Sequence, residues 1–154
     1  MASSKKSFQI RYAKSSDISK LVQLCQDHAA YEGAEFDANG KDEKLEQLIF
    51  QEDSDCKCIV IEMEGLLIGY ATFMKQISTW DANFYVYMDC LYLKPEARGG
   101  GIGKLLMDEI TDYARTEGCN LVQWQTPKEN EGAIRFYQRL GANHKSKERF
   151  FLSL

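Results

Sequence analysis

Apolar and polar residues alternate from Phe8 to Tyr12, a period of two that predicts a short, half-covered strand. The period then lengthens. Ile18, Leu21, Val22, Leu24 and Cys25 recur at helical spacing to about Tyr31, with Ser15 or Ser16 and Asp17 as start signals and Glu32-Gly33 as the break. Leu45, Leu48 and Ile49 mark a second, shorter helix. Three β-type runs follow. Cys58 to Met63 leads through a tight turn at Glu64-Gly65 into a hairpin partner, Leu66 to Lys75; Phe84 to Leu93 is rich in Tyr, Val and Leu and is ended by Pro95. Beyond a glycine cluster the spacing predicts a strong helix with Ile102, Leu105, Leu106, Ile110, Tyr113 and Ala114 on its apolar face and Gly118 as its stop. Leu121 to Thr126 reads as a strand. Glu129-Asn130 opens a last helix with Ala133, Ile134, Phe136, Tyr137 and Leu140 inward and Gly141 at its end, and Arg149 to Leu154 has the make-up of a final strand. The order β-α-α-β-β-β-α-β-α-β puts hairpins before βαβ units, and so predicts an α/β (α+β) fold with a mixed sheet and helices on both faces.

The 154 residues suit one domain, 1–154, with no repeat, low-complexity tract or linker. A net charge of -4 and a pI of about 5.3 argue against nucleic-acid binding and suit a cationic small substrate. No apolar run approaches the roughly 20 residues that cross a bilayer, so no membrane association is expected. The polar start, Met1 to Lys6, leads into no apolar stretch of the kind a signal peptide needs. Five cysteines, at 25, 56, 58, 90 and 119, are odd in number and match no zinc spacing. They read as reduced thiols of a cytoplasmic protein. His28 and His144 show no metal spacing, and no metal is expected.

One stretch carries chemistry: Leu91-Tyr-Leu-Lys-Pro-Glu-Ala-Arg98-Gly-Gly-Gly-Ile-Gly103-Lys104. A strand runs into a glycine-rich turn that opens a helix, and the amides of a helix start favour an anion, phosphate above all. A nucleotide P-loop is excluded. Counting back from Gly103-Lys104 puts Arg98 where its first glycine belongs, and Leu105 replaces the Ser or Thr that holds magnesium. The dinucleotide pattern fails too, meeting Lys104 or Leu106 where its last glycine should be. Two readings remain: a turn that binds nothing, or a cradle for a pyrophosphate that brings no metal, such as that of coenzyme A.

The sequence resembles the GNAT superfamily of N-acetyltransferases. The family's motif Arg/Gln-x-x-Gly-x-Gly/Ala is matched by Arg98-Gly-Gly-Gly101-Ile-Gly103. The preceding strand matches in Met88-Asp-Cys-Leu-Tyr-Leu93. The family's block Asn-x-x-Ala-x-x-Phe-Tyr-x-x-x-Gly-Phe/Ala is matched by Asn130, Ala133, Phe136, Tyr137, Gly141 and Ala142. Within the family the chain looks closest to the spermidine/spermine and thialysine N-acetyltransferase branch, through Tyr31-Glu32, Ser78-Thr79-Trp80 and Asp89, which stands where that branch usually carries Glu. The resemblance implies a mostly antiparallel mixed sheet with a splayed strand pair at the coenzyme site. It also implies acetyl-CoA as co-substrate and, in many members, a homodimer. It implies that Arg98, Gly99, Gly100, Gly101, Ile102, Gly103 and Lys104 bind the pyrophosphate, that Leu91, Tyr92 and Leu93 bind the pantetheine arm, and that Asn130 and Ala133 belong to the same site.

Acetyl transfer to an amine needs a neutral nitrogen, a polarised carbonyl and a proton for the leaving thiolate. The family puts a tyrosine at Tyr137 as the proton donor, and a phenol of ordinary pKa, about 10, can donate at neutral pH. Asp89 is the candidate base, on a strand face that alternation would share with Leu91 and Leu93. Glu32 and Trp80 are candidate amine-binding residues, with Asp89, through charge and cation–π contact. Asn130 is placed to cap the last helix. Cys90 has no evident His or Asn partner and reads as structural. The expected reaction is acetyl transfer from acetyl-CoA to a primary amine of a small molecule: a diamine, a polyamine or an amino-acid-like amine. A protein or peptide N-acetyltransferase of the same fold, or a non-catalytic acyl-CoA-binding module, stays open.

Overall fold

The alternation of the first residues becomes β1, Phe8–Tyr12, and the first helical stripe becomes α1, Ile18–Tyr31. These elements belong to a computed structural model that describes residues 6–154. The polar start expected to carry no leader lies, apart from Lys6, outside the described residues. α2 spans Lys41–Phe50, β2 Lys57–Met63, β3 Leu66–Ser78, β4 Asn83–Leu93, α3 Ile102–Thr116, β5 Val122–Gln123 and α4 Glu131–Arg139. The chain falls into two compact units, one running to Trp124 and the other from Gln125 to Leu154.

In the first unit the strands form one mixed sheet in the order β1-β2-β3-β4-β5. β1 to β4 pair antiparallel; β5 pairs parallel to β4 at Val86–Val122 and Tyr87–Gln123 only. At the β2–β3 hairpin Glu64 and Gly65 take φ of 51° and 79°, the two left-handed residues that a two-residue turn of matching twist requires. One sheet face carries Cys58, Val60, Tyr70 and Tyr92 against Leu21 and Leu24 of α1. The other carries Phe73, whose ring meets Tyr113 of α3 edge-on at 5.1 Å. Helices therefore cover both faces, as the alternating strands require.

α3 buries Ile102, Leu106, Met107, Ile110 and Ala114. Leu105, expected on this stripe, faces solvent, and Met107 takes its place. The stripe follows the four-residue spacing from Ile102 to Ala114, and Leu105 lies about 120° from its centre. β3 and β4 run close beside Gly69, where an added Cβ would stand 2.6 Å from the Tyr92 carbonyl oxygen.

In the second unit Asn130 caps α4, accepting a hydrogen bond from the Ala133 amide at 3.2 Å. The expected final strand does not form. Residues 149–154 are irregular, and Phe150 is 90% exposed. A segment of five or six residues with no ladder partner gains too little from propensity to stay extended as a strand.

Arg11 joins β1 to the turn before α1. It donates to both Asp17 carboxylate oxygens, at 2.7 and 3.0 Å, and to Glu62 on β2 at 2.9 Å. The Arg11 guanidinium, aided by the Lys14 amide, holds the buried Asp17 carboxyl below its ordinary 3.8. A depressed folded-state pKa contributes stability above the unfolded value, and that contribution is lost as pH falls through the folded one. Asp17→Asn is therefore expected to cost about 2 kcal/mol at pH 7. The gap to the native protein should be narrower at a pH below the ordinary carboxyl value of 3.8 and close as pH falls through the depressed folded one. Denaturant unfolding at the two pH values checks this, and an equal loss at both would reject the ion-pair account.

Candidate active site

The glycine turn lies between a short helical turn at Pro95–Ala97 and α3. Gly99 and Gly101 take φ of 80° and 85°, a conformation that side chains with a Cβ rarely adopt. Gly101 is the N-cap residue of α3, and no side chain caps the helix. Its first amides consequently have no side-chain acceptor among the described residues, and they carry the positive end of a 15-residue helix. A Cβ added at Gly99, Gly100 or Gly101 would meet no atom within 4 Å. The turn is thus open to solvent, with room for a ligand against its backbone. Arg98 does not extend from it. Its Nε donates to the Leu93 carbonyl at 2.9 Å, and its guanidinium lies 4.4 Å from the centre of the Tyr31 ring.

β4 leads into this turn and carries a bulge. Thr72 pairs with Cys90 while the next residue, Phe73, pairs with Met88, so Asp89 is the extra residue. The bulge resets the alternation. Met88 shares the α3 face with Phe73, Cys90 and Tyr92 share the α1 face, and Asp89 is exposed beside Cys90, whose thiol is 3.6 Å from its carboxylate. The alternation argument that set Asp89 on the face of Leu91 and Leu93 is corrected here. Those two pair with Ala71 and Gly69 instead, and the carboxylate pays no burial cost.

The same register orients the backbone. The Lys94 amide donates to Ile68, so alternation turns the amides of Cys90 and Tyr92 toward β3 and those of Leu91 and Leu93 away from it. β5 leaves β4 after Tyr87, and no described strand pairs with β4 from Met88 onward on that side. The outcome is a strip of outward polar backbone between the Asp89 bulge and the glycine turn, and it realises the splayed strand pair. The Tyr92 side chain itself is buried and stacks on His28 at 5.1 Å.

Beside Asp89 a cavity of about 470 Å³ opens between α1, α2 and the sheet. Glu32 lines it, and its carboxylate is 3.3 Å from His28 Nε2. His28 Nδ1 is 2.9 Å from the hydroxyl of Tyr70, so a Glu32–His28–Tyr70 chain runs from rim to floor. Cys25 and Cys90 complete the floor. Burial, reinforced by Asp89, pushes the Cys90 thiol up to about 12, and burial also raises Cys25. A thiol held protonated is a poor nucleophile, which agrees with reading Cys90 as structural. Burial likewise keeps Tyr70 protonated.

His28, Tyr70, Lys41 and Lys44 line this cavity and were not singled out by sequence. A signal did exist for His28. It continues the inward stripe of buried Leu21 and Leu24 and partly buried Cys25, and a polar residue on such a stripe needs a partner. Trp80 does not join the group. It is 98% exposed at the tip of the β3–β4 hairpin, roughly 20 Å along the strand from Asp89. Tyr137 and Ala133 belong to α4 of the second unit and Asn130 caps it; Tyr137 is half-buried and its ring centre lies 5.2 Å from that of Phe136. Among the described residues no cluster of His, Cys, Asp and Glu could hold a metal ion, and no helix is long and apolar enough to cross a membrane.

Residues 19–142 match the model of the acetyltransferase (GNAT) family. The chain is 28% identical over 141 residues to thialysine N-epsilon-acetyltransferase of Bos taurus, covering 86% of this chain and 82% of that protein. It is 26% identical over 155 residues to the Mus musculus protein of the same name, covering 96% and 91%. Among solved structures it superposes on an aminoglycoside acetyltransferase from an uncultured soil metagenomic sample with a TM-score of 0.81, at 20% identity and 96% coverage of both chains. With open amides at the helix start, a bulged strand with a free edge beside them and this family match across both units, the chain belongs to the acetyltransferase (GNAT) family and is an N-acetyltransferase.

Proposed function

We propose that the protein transfers the acetyl group of acetyl-CoA to a primary amine of a small molecule by direct attack, residues 1–154 working as one acetyltransferase domain. The carrying observation is the continuity of uncapped amides at Gly99–Lys104 with the outward backbone of Leu91 and Leu93. Asn130 and Ala133 are assigned to the same coenzyme. A pyrophosphate fits the open, left-handed glycine turn, and an extended amide-bearing arm fits the strand edge. Acetyl-CoA supplies the activated acyl carbon.

The chain's own residues supply the rest. Asp89, exposed next to the free edge, attracts the ammonium and takes a proton from the nitrogen, directly or through water. The nitrogen attacks the thioester carbon; the C–N bond forms and the C–S bond breaks. The Tyr137 hydroxyl gives its proton to the departing sulfur, and the second proton, which the nitrogen sheds on becoming an amide, returns through water to the tyrosinate, leaving an N-acetyl amine and free coenzyme A thiol. Glu32 strengthens the negative potential for the amine, whereas Trp80, at the hairpin tip away from the cavity, takes no part in this reading. The reading takes the protein as a cytoplasmic homodimer. Five unpaired thiols support a reducing compartment, and the exposed apolar side chains of Phe150, Phe151 and Leu152 support association.

The test is acetyl-CoA turnover over a panel of amines, with a peptide library as control. Small amines should be acetylated and peptides not. Saturation with acetyl-CoA at about 100 times its Kd should also stabilise the fold by about 2.7 kcal/mol. Turnover of peptides alone would move the assignment to a peptide N-acetyltransferase. Stabilisation without any turnover would leave a coenzyme-binding module.

A further inference from the structure

The residues that α2 gives to the cavity share one helix face, and no described residue buries that face. Lys41, Lys44, Leu45 and Leu48 line the space at the spacing of a single helical stripe. α2 buries none of its residues, and Leu48 is 60% exposed. Phe36, just before α2, and Ala29 of α1 extend the apolar wall, and the thiols of Cys25 and Cys90 lie at its floor. We infer that this wall takes the apolar body of the acceptor, so that the preferred substrate is a monoamine: one ammonium on an alkyl or aryl chain. The inference rests on the acetyl-transfer reading of the same site and narrows its substrate class.

The polar groups of the cavity are few. Glu32 is the one acid among its described lining residues, and His28 Nε2 already stands 3.3 Å from that carboxylate. The cations, Lys41 and Lys44, belong to α2, and the Lys41 ammonium lies 3.7 Å from the centre of the Phe36 ring. The stems of both lysines add methylenes to the wall. A diamine or polyamine laid along it would bring a second ammonium toward two like charges, with no uncommitted lining carboxylate to receive it. An uncharged chain meets no such penalty. It gains by covering Leu45 and Leu48, each methylene removed from water strengthening the complex about fourfold. The single ammonium is left for the Cys90 end of the cavity, where the Asp89 carboxylate lies 3.6 Å from the Cys90 thiol. A space of about 470 Å³ accommodates a chain of this kind.

The experiment uses n-alkylamines from propyl to hexyl, with cadaverine as the match to n-hexylamine in which an ammonium replaces the terminal methyl. For the native protein kcat/KM should rise about three- to fourfold with each added methylene. n-Hexylamine should exceed cadaverine by at least about tenfold. Leu48→Asp puts an acid on the wall and should cut that ratio at least about tenfold. Gln47→Asp adds the same acid to the same turn outside the cavity and should leave the ratio within about twofold. Melting temperatures establish that both variants fold; should Leu48→Asp fail to fold, the alkyl series and the native ratio decide alone. A flat series, a native preference for cadaverine, or equal ratios in the two variants overturns the inference. Calorimetric titration of n-hexylamine with coenzyme A present separates this failure from that of acetyl transfer. n-Hexylamine binding that Leu48→Asp loses and Gln47→Asp keeps, with no amine acetylated, upholds the apolar wall and sinks the reaction. Cadaverine turnover without n-hexylamine binding does the reverse, and absence of both removes both.

Discussion

Gly101→Val is expected to abolish the stabilisation by acetyl-CoA and to raise the KM for acetyl-CoA by about two orders of magnitude or more. Gly101 sits at φ 85°, where a β-branched residue is a genuine outlier. To escape it, the valine must rotate the peptide planes on either side, and those planes carry the amides that begin α3. The amides then leave their native directions, and a pyrophosphate held by several of them at once loses most of its partners together. The substitution also strains the fold by about 1–3 kcal/mol, so a matched control is needed. Gly118, after the C-terminus of α3, has φ 76° and the same open surroundings. Gly118→Val should cost a similar amount of stability and keep the acetyl-CoA effect. Thermal shifts with and without acetyl-CoA for the two variants check both halves. Equal behaviour of the pair would mean that the turn matters for folding and not for the coenzyme.

The turn was legible because its chemistry is local: three glycines, a helix start and a strand lie consecutively in the chain. Helices α1 and α3 were legible for a related reason, since a long stripe at constant spacing repeats its own evidence. What the sequence did not disclose is what depends on partners distant in the chain. The bulge at Asp89 comes from pairing with Thr72 and Phe73, and one extra residue reverses which face every later side chain takes. Alternation read from β4 alone therefore put Asp89 with Leu91 and Leu93. β5 shrank from six expected residues to two because only Val122 and Gln123 pair with β4 before it leaves the sheet. The cavity joins residues of α1, α2, β3 and β4, and nothing in the local pattern of Lys41 and Lys44 distinguishes them from a solvated helix face. Trp80 shows the converse. Its motif matched the family branch, yet the long β3–β4 hairpin carries it away from the cavity.

Tyr137→Phe should lower kcat by about 10²- to 10³-fold with little change in the KM for acetyl-CoA. The substitution removes one oxygen and keeps the ring, so the contact with Phe136 and the amphipathic packing of α4 survive. A packing role would leave kcat within about a factor of two, because a volume-conserving change on a half-buried position perturbs little. Proton donation predicts a further mark that packing does not. A thiolate leaves readily only when a proton meets it, and a phenol can supply one only while un-ionised. The native rate should therefore fall on the alkaline side as the phenol ionises, and in Tyr137→Phe that descending limb should vanish while a slow, water-dependent rate persists. A thioester with a better leaving group separates the two readings once more. If the hydroxyl assists departure, the deficit of Tyr137→Phe must shrink as the leaving thiol becomes more acidic, since a stable thiolate needs less help. A deficit independent of the leaving group would put the hydroxyl's role in binding or positioning and leave the proton to come from solvent.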